Sequence, residues 1–132
     1  MSQFRKDLKE ARKTEQLVFE LLCSLDKQYK YKLVNESPEY YHKGDILASA
    51  ADGTEIFIDV KCDSRIAETG RILCEEENYF YNTDTVEKGF MYSDYDYLCI
   101  VSYENRTFYF IDFKKLKEIY QMGEFKRIYH PE

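Results

Sequence analysis

Asp45, Asp59 and Lys61 are the residues of this chain whose types and spacing suggest chemistry. They lie in GDILASAADGTEIFIDVKCD, residues 44–63, most of which reads as two strands meant for burial. Buried charge is costly unless it is paired or held by a metal ion. The turn between the strands decides what the charges do, because side chains alternate along a strand. With a two-residue loop, Asp52-Gly53, Asp45 and Asp59 point to opposite faces. With a three-residue loop, Ala51-Asp52-Gly53, Ala50 pairs with Thr54 and Asp45 falls across from Asp59. Gly53 suits the left-handed position of that common hairpin, and this register carries the reading that follows. Facing carboxylates about 5 Å apart share a proton or hold a cation between them. With oxygen ligands alone, the cation is Mg²⁺ or Mn²⁺. Lys61 joins the same face, and Ile46, Ala48, Ala50, Ile56, Ile58 and Val60 make the other face wholly apolar. One face is thus expected to pack and the other to do chemistry.

These strands need a scaffold. Residues Ser2 to Asp26 read as one helix, with Leu8, Ala11, Val18, Phe19, Leu22 and Leu25 at helical spacing. Glu15 interrupts that apolar stripe and is expected to point inward with it. Tyr29–Val34 alternates as a first strand, Asn35–Lys43 is a loop, and Gly44–Ala50 and Thr54–Lys61 follow as strands. Asp63–Gly70 reads as irregular, Arg71–Tyr81 is ambiguous and open to a strand followed by a loop, and Asn82–Asp94 is polar and unpatterned. Tyr97–Tyr103 and Thr107–Ile111 are β-rich. Asp112 is placed to cap a helix, Phe113–Met122, that Gly123 stops; a short last strand over Phe125–Tyr129 is conceivable. The order predicts an α/β class, a central mixed sheet flanked by helices, in a single domain over residues 1–132.

Composition bounds the rest. The 132 residues suffice for one core. The charged start MSQFRKDLKEARK lacks the apolar run of a secretion signal. No stretch is apolar enough to span a bilayer, so no membrane partner is expected. Cys23, Cys62, Cys74 and Cys99 show no CxxC spacing, and His42 and His130 are the only histidines. A zinc site of the usual ligand set is therefore not expected, and reduced, mostly buried thiols in a cytoplasmic protein are. Net charge is −6, which argues against generic nucleic-acid binding. Residues 1–32, however, carry eight Lys/Arg against five Asp/Glu, a local +3 able to face a phosphate backbone.

Asp45 followed after a hairpin by Asp59-Val60-Lys61, behind a helix bearing Glu15, resembles the PD-(D/E)XK nuclease superfamily, particularly its small phage-type and resolvase-like members. Gly44 stands where the name has proline. Val60-Lys61-Cys62-Asp63, Thr69-Gly70-Arg71, Glu75, Lys88-Gly89-Phe90 and Asp96 resemble the downstream text of such members, with Arg71 in place of Asn and Phe90 in place of Trp. The resemblance covers residues from about 10 to 100 and implies a restriction-endonuclease-like fold, an αβββ…β core. It further implies a Mg²⁺- or Mn²⁺-dependent nuclease acting on nucleic acid, foremost DNA, and a possible homodimer. Asp45, Asp59, Glu15 and the Val60 carbonyl would then hold the metal, and Lys61 would orient or deprotonate water. Arg65, Arg71 and Thr69 are the candidate substrate contacts, and Glu75 is a weaker acidic candidate. The alternatives are a catalytically silent nuclease-like module that binds nucleic acid or serves assembly, and a plain cation-binding structural protein.

Overall fold

The computed structural model describes residues 3–40, 43–63, 65–69, 77–80, 83–89, 91 and 93–123. The chain begins with a long helix, α1 (Gln3–Leu25), within a residue of the span read from its apolar period at either end. Three antiparallel strands follow: β1 (Tyr29–Leu33), β2 (Ile46–Ala50) and β3 (Glu55–Cys62). A single 3₁₀ turn at Pro38–Tyr40 interrupts the β1–β2 connection. A short helix, α2 (Arg65–Thr69), and a separate hairpin of β4 (Glu77–Phe80) and β5 (Thr85–Lys88) come next. The chain then returns as β6 (Tyr97–Ser102) and β7 (Thr107–Asp112) and ends its described part in α3 (Phe113–Gln121). The main sheet has the order β1-β2-β3-β6-β7. Its β3–β6 pair is parallel and the others are antiparallel, so the sheet is mixed. No described helix is long and apolar enough to cross a membrane.

Both faces of the sheet are buried. Beneath α1, Val18 meets Ile46, Ile58, Val60, Cys99 and Val101. On the opposite face, Phe113 of α3 and Ile66 of α2 meet Met91, Tyr95, Leu98 and Ile100, with Phe57 packed alongside. The expectation of one packing face and one chemical face needs correction here. Leu47 and Phe57 lie on the face assigned to chemistry, and Leu47 is buried. Ile66 of α2 and Phe113 of α3 pack on that face against Phe57, Leu98 and Ile100.

Other corrections concern short elements. Ile66 is buried and anchors α2 where an irregular segment was expected; five residues are too few to display a helical period. β4 lies inside Arg71–Tyr81, the segment open to a strand; β5 is a strand within the stretch Asn82–Asp94 expected to be unpatterned, and its four residues are too few to show an alternation. Among the three described cysteines only Cys99 is buried, and burial pushes its thiol up to about 12. Cys62 is exposed at the end of β3. Asp112 caps α3 as expected, its carboxylate accepting the Lys115 amide at 3.2 Å, and Gly123 ends it with φ +74°. The Phe125–Tyr129 segment lies outside the described residues.

Candidate active site

The β2–β3 loop has the three residues Ala51-Asp52-Gly53. Ala50 N donates to Thr54 O at 2.8 Å, Gly53 adopts φ +91°, and the ladder runs from Ser49–Glu55 to Ile46–Ile58. It stops there. Asp45 N donates to the carbonyl of Ile58, the residue that Ile46 already faces, at 2.9 Å. Two residues therefore oppose one, a β-bulge. Gly44, at φ +146°, makes the bend, and a Cβ there would stand 3.1 Å from the Ile58 carbonyl oxygen. The expected direct pairing of Asp45 with Asp59 is displaced accordingly. Asp45 Oδ2 accepts the Val60 amide at 2.9 Å instead, one residue beyond Asp59.

The bulge opens a gap. From Asp59 to Cys62, β3 pairs with β6 but no longer with β2. Glu15 comes from α1 on one side of the sheet, and Asp59 and Lys61 belong by alternation to the face that Phe57 packs. They meet where β2 is missing. A cleft of about 350 Å³ is lined there by Arg12, Glu15, Asn35, Asp45, Asp59 and Lys61, with Tyr40, Ser93 and Tyr95 among its other walls.

Each acid is held differently. Glu15 is 6% exposed. Its carboxylate accepts Arg12 Nη1 at 3.2 and 3.4 Å and Asn35 Nδ2 at 2.9 Å. Asp59 is 9% exposed, and its Oδ2 is buried without a well-directed hydrogen bond. The Lys61 ammonium stands 2.9 Å from that oxygen as an ion pair. Burial, then the Asp59 charge, then the hydrogen bond to Glu15 push the Asp45 carboxyl up to about 9, against the pull of the Val60 amide. Crowding beside Asp59 and Glu15 thus favours the protonated form of Asp45.

No family model, curated protein or solved structure matches this chain.

The donor set suits a hard divalent cation. All its members are oxygens, the buried Asp59 Oδ2 has the Lys61 ammonium as its counter-charge, and the repulsion that favours a protonated Asp45 is one that a cation would relieve. Among the described residues, however, no three acid, Cys or His side chains already surround one ion position. A cation would have to draw Asp45 and Asp59 together and loosen Asp59 from Lys61.

The remaining sequence candidates fall elsewhere. Thr69 is exposed at the end of α2 and is not on the cleft wall. Arg65 opens α2, with its side chain outside the described portion; Arg71, Glu75, Phe90 and His42 lie outside the described residues. Val60 gives its amide to Asp45 and its side chain to the core. Asp96 stays out of the cleft wall: its Oδ2 accepts the Phe57 amide at 2.8 Å, tying β6 to β3. Sequence reasoning missed Arg12, Asn35, Tyr40 and Tyr95. Arg12 was legible, being one helical turn before Glu15 on the same face. Asn35 had no spacing signal, since a loop brings it to Glu15.

Proposed function

We propose that the protein is a Mg²⁺- or Mn²⁺-dependent nuclease that hydrolyses phosphodiester bonds of nucleic acid, foremost DNA, as a member of the PD-(D/E)XK superfamily. The observation that carries this reading is the convergence of Glu15, Asp45, Asp59 and Lys61 on one cleft at a break in the sheet. A three-strand antiparallel meander, a parallel neighbour for its third strand and a helix on each face are compatible with the restriction-endonuclease-like fold.

Asp45 and Asp59 would hold the metal ion, with Glu15 and the Val60 carbonyl as further oxygen donors. When bound, the ion lowers the pKa of water and polarises the phosphate. Arg12 and Asn35 hold Glu15 fixed at the cleft wall. Lys61 keeps an ammonium beside Asp59, where it orients the attacking water or neutralises charge building on the phosphoryl oxygens. In the reaction, the water oxygen forms a new bond to phosphorus and the ester bond to the leaving sugar oxygen breaks. The proton lost by water is balanced by the one the leaving oxygen gains.

A second reading, a catalytically silent module, is favoured by two observations: Lys61 already neutralises Asp59, and no acid trio stands ready around one ion position among the described residues. Incubation of plasmid, single-stranded and branched DNA with Mg²⁺ or Mn²⁺ separates the two. Cleavage by the wild type that disappears in both Asp59→Ala and Lys61→Ala supports the nuclease. Intact DNA in every tube, with the protein folded, supports the silent module.

A further inference from the structure

Arg12 has more hydrogen-bonding capacity than its surroundings use. It sits one turn before Glu15, and its Nη1 serves that carboxylate. Its Nε–H is buried without a hydrogen-bond partner; exposed Glu36 pairs with it as an ion at 3.8 Å, beyond hydrogen-bond reach. The head group lines the same cleft as Asp45, Asp59 and Lys61. A phosphodiester entering this cleft meets three acids and two cations, Arg12 and Lys61. Lys61 is engaged with Asp59 at 2.9 Å. The Arg12 side chain is 34% exposed at the cleft, and a planar guanidinium matches two phosphate oxygens where an ammonium offers a point charge.

The helix around it is suited to a polyanion. Lys9 and Lys13 are exposed on α1; Lys9 is one turn before Arg12 on its face, and Lys13 is one turn after Lys9 along the flank. Leu8, Arg12 and Glu15, spaced by four and three residues, form the helix's contribution to the cleft. The amino-terminal half of α1 thus carries positive charge up to the cleft mouth, while the rest of the chain is acidic.

We infer that Arg12 binds a non-bridging oxygen of the substrate's phosphodiester, and that the nucleic-acid backbone runs along α1 past Lys9 and Lys13 into the cleft. The inference rests on the nuclease reading for the nature of the ligand, but it concerns binding and is read independently of cleavage.

The probe is a short fluorescein-labelled single-stranded DNA, bound in an Asp59→Asn background and followed by anisotropy across a salt series. Arg12→Ala weakens binding about tenfold and lowers the slope of log affinity against log salt by about one. Arg12→Lys recovers the salt slope but only part of the affinity. Mg²⁺-induced thermal stabilisation, measured in the Asp59-containing protein, falls in Arg12→Ala, where Glu15 loses an anchor, and is largely kept in Arg12→Lys, so the DNA affinities are compared without added divalent cation. Unchanged DNA affinity and salt slope in Arg12→Ala overturn the inference, as does lost Mg²⁺ stabilisation with DNA binding intact, which would make Arg12 only a holder of Glu15. DNA binding that depends on Arg12 in a protein that never cleaves would refute the nuclease and leave the contact standing. Cleavage with an Arg12-independent KM would do the reverse.

Discussion

Asp45 Oδ2 accepts the backbone amide of Val60 at 2.9 Å, across the hairpin and beside Asp59. That bond ties the carboxyl to β3 at the point where β2 has ended, inside the reach of Asp59 and Glu15. It fixes a carboxyl whose protonation the fold strongly favours.

The pH dependence of stability should therefore carry the mark of Asp45. Its folded pKa, about 9, lies above the ordinary 3.8. The folded state then holds a proton that the unfolded chain has released, so this contribution is whole below pH 3.8 and is lost as pH rises through about 9. Urea unfolding of the metal-free protein should show stability falling across that window. Asp45→Asn should flatten the fall and gain on the order of 1–2 kcal/mol at its alkaline end. A wild type and variant with parallel pH profiles would refute this.

Divalent cations should act through the same proton. Mg²⁺ at roughly 100 times its dissociation constant should stabilise the wild type by about 2.7 kcal/mol, read as a rise in Tm, and should do little for Asp59→Asn. Binding displaces the Asp45 proton, so affinity should rise with pH, and calorimetric heats should scale with the ionisation enthalpy of the buffer. Heats independent of the buffer would mean that the cation binds elsewhere.

Glycine at position 44 is tested by Gly44→Ala. At φ +146°, with the new Cβ 3.1 Å from the Ile58 carbonyl oxygen, the substitution should cost about 1–3 kcal/mol in denaturant unfolding. It should also weaken Mg²⁺ stabilisation, since relaxing the bulge moves Asp45. A neutral Gly44→Ala would show that the bulge tolerates another backbone shape.

The elements with a strong period or a chemical stop were legible from sequence: α1 from its apolar stripe, the hairpin loop from Gly53, α3 from Asp112 and Gly123. The sheet order was not, because nothing local says that β6 will lie beside β3. Nor was the bulge, which depends on how a glycine resolves a clash with a strand across the sheet. The three acids and the lysine were legible as a set, and all four line one cleft. Their partners were harder to read. Asn35 is 20 residues from Glu15 and meets it only through the fold.

Asn35→Ala tests that hidden partner. It removes the 2.9 Å hydrogen bond to a nearly buried carboxylate and should cost about 1.5–3 kcal/mol. If the nuclease reading holds, the cleavage rate should fall while Tyr31, hydrogen-bonded to Asp26 at 2.7 Å at the far end of α1, keeps its environment by NMR. A variant with full stability would mean that Arg12 alone fixes Glu15.

Every charged member of the cleft lies between residues 12 and 61, whereas the strand that flanks β3 opposite β2 arrives only at Tyr97. A chain still emerging from the ribosome thus presents the whole charged set before β6 exists. During that interval β3 is a bare sheet margin displaying Phe57 and Ile58, open to pairing with a neighbouring nascent chain. Premature termination ahead of Tyr97 should for that reason yield insoluble material rather than a small working domain.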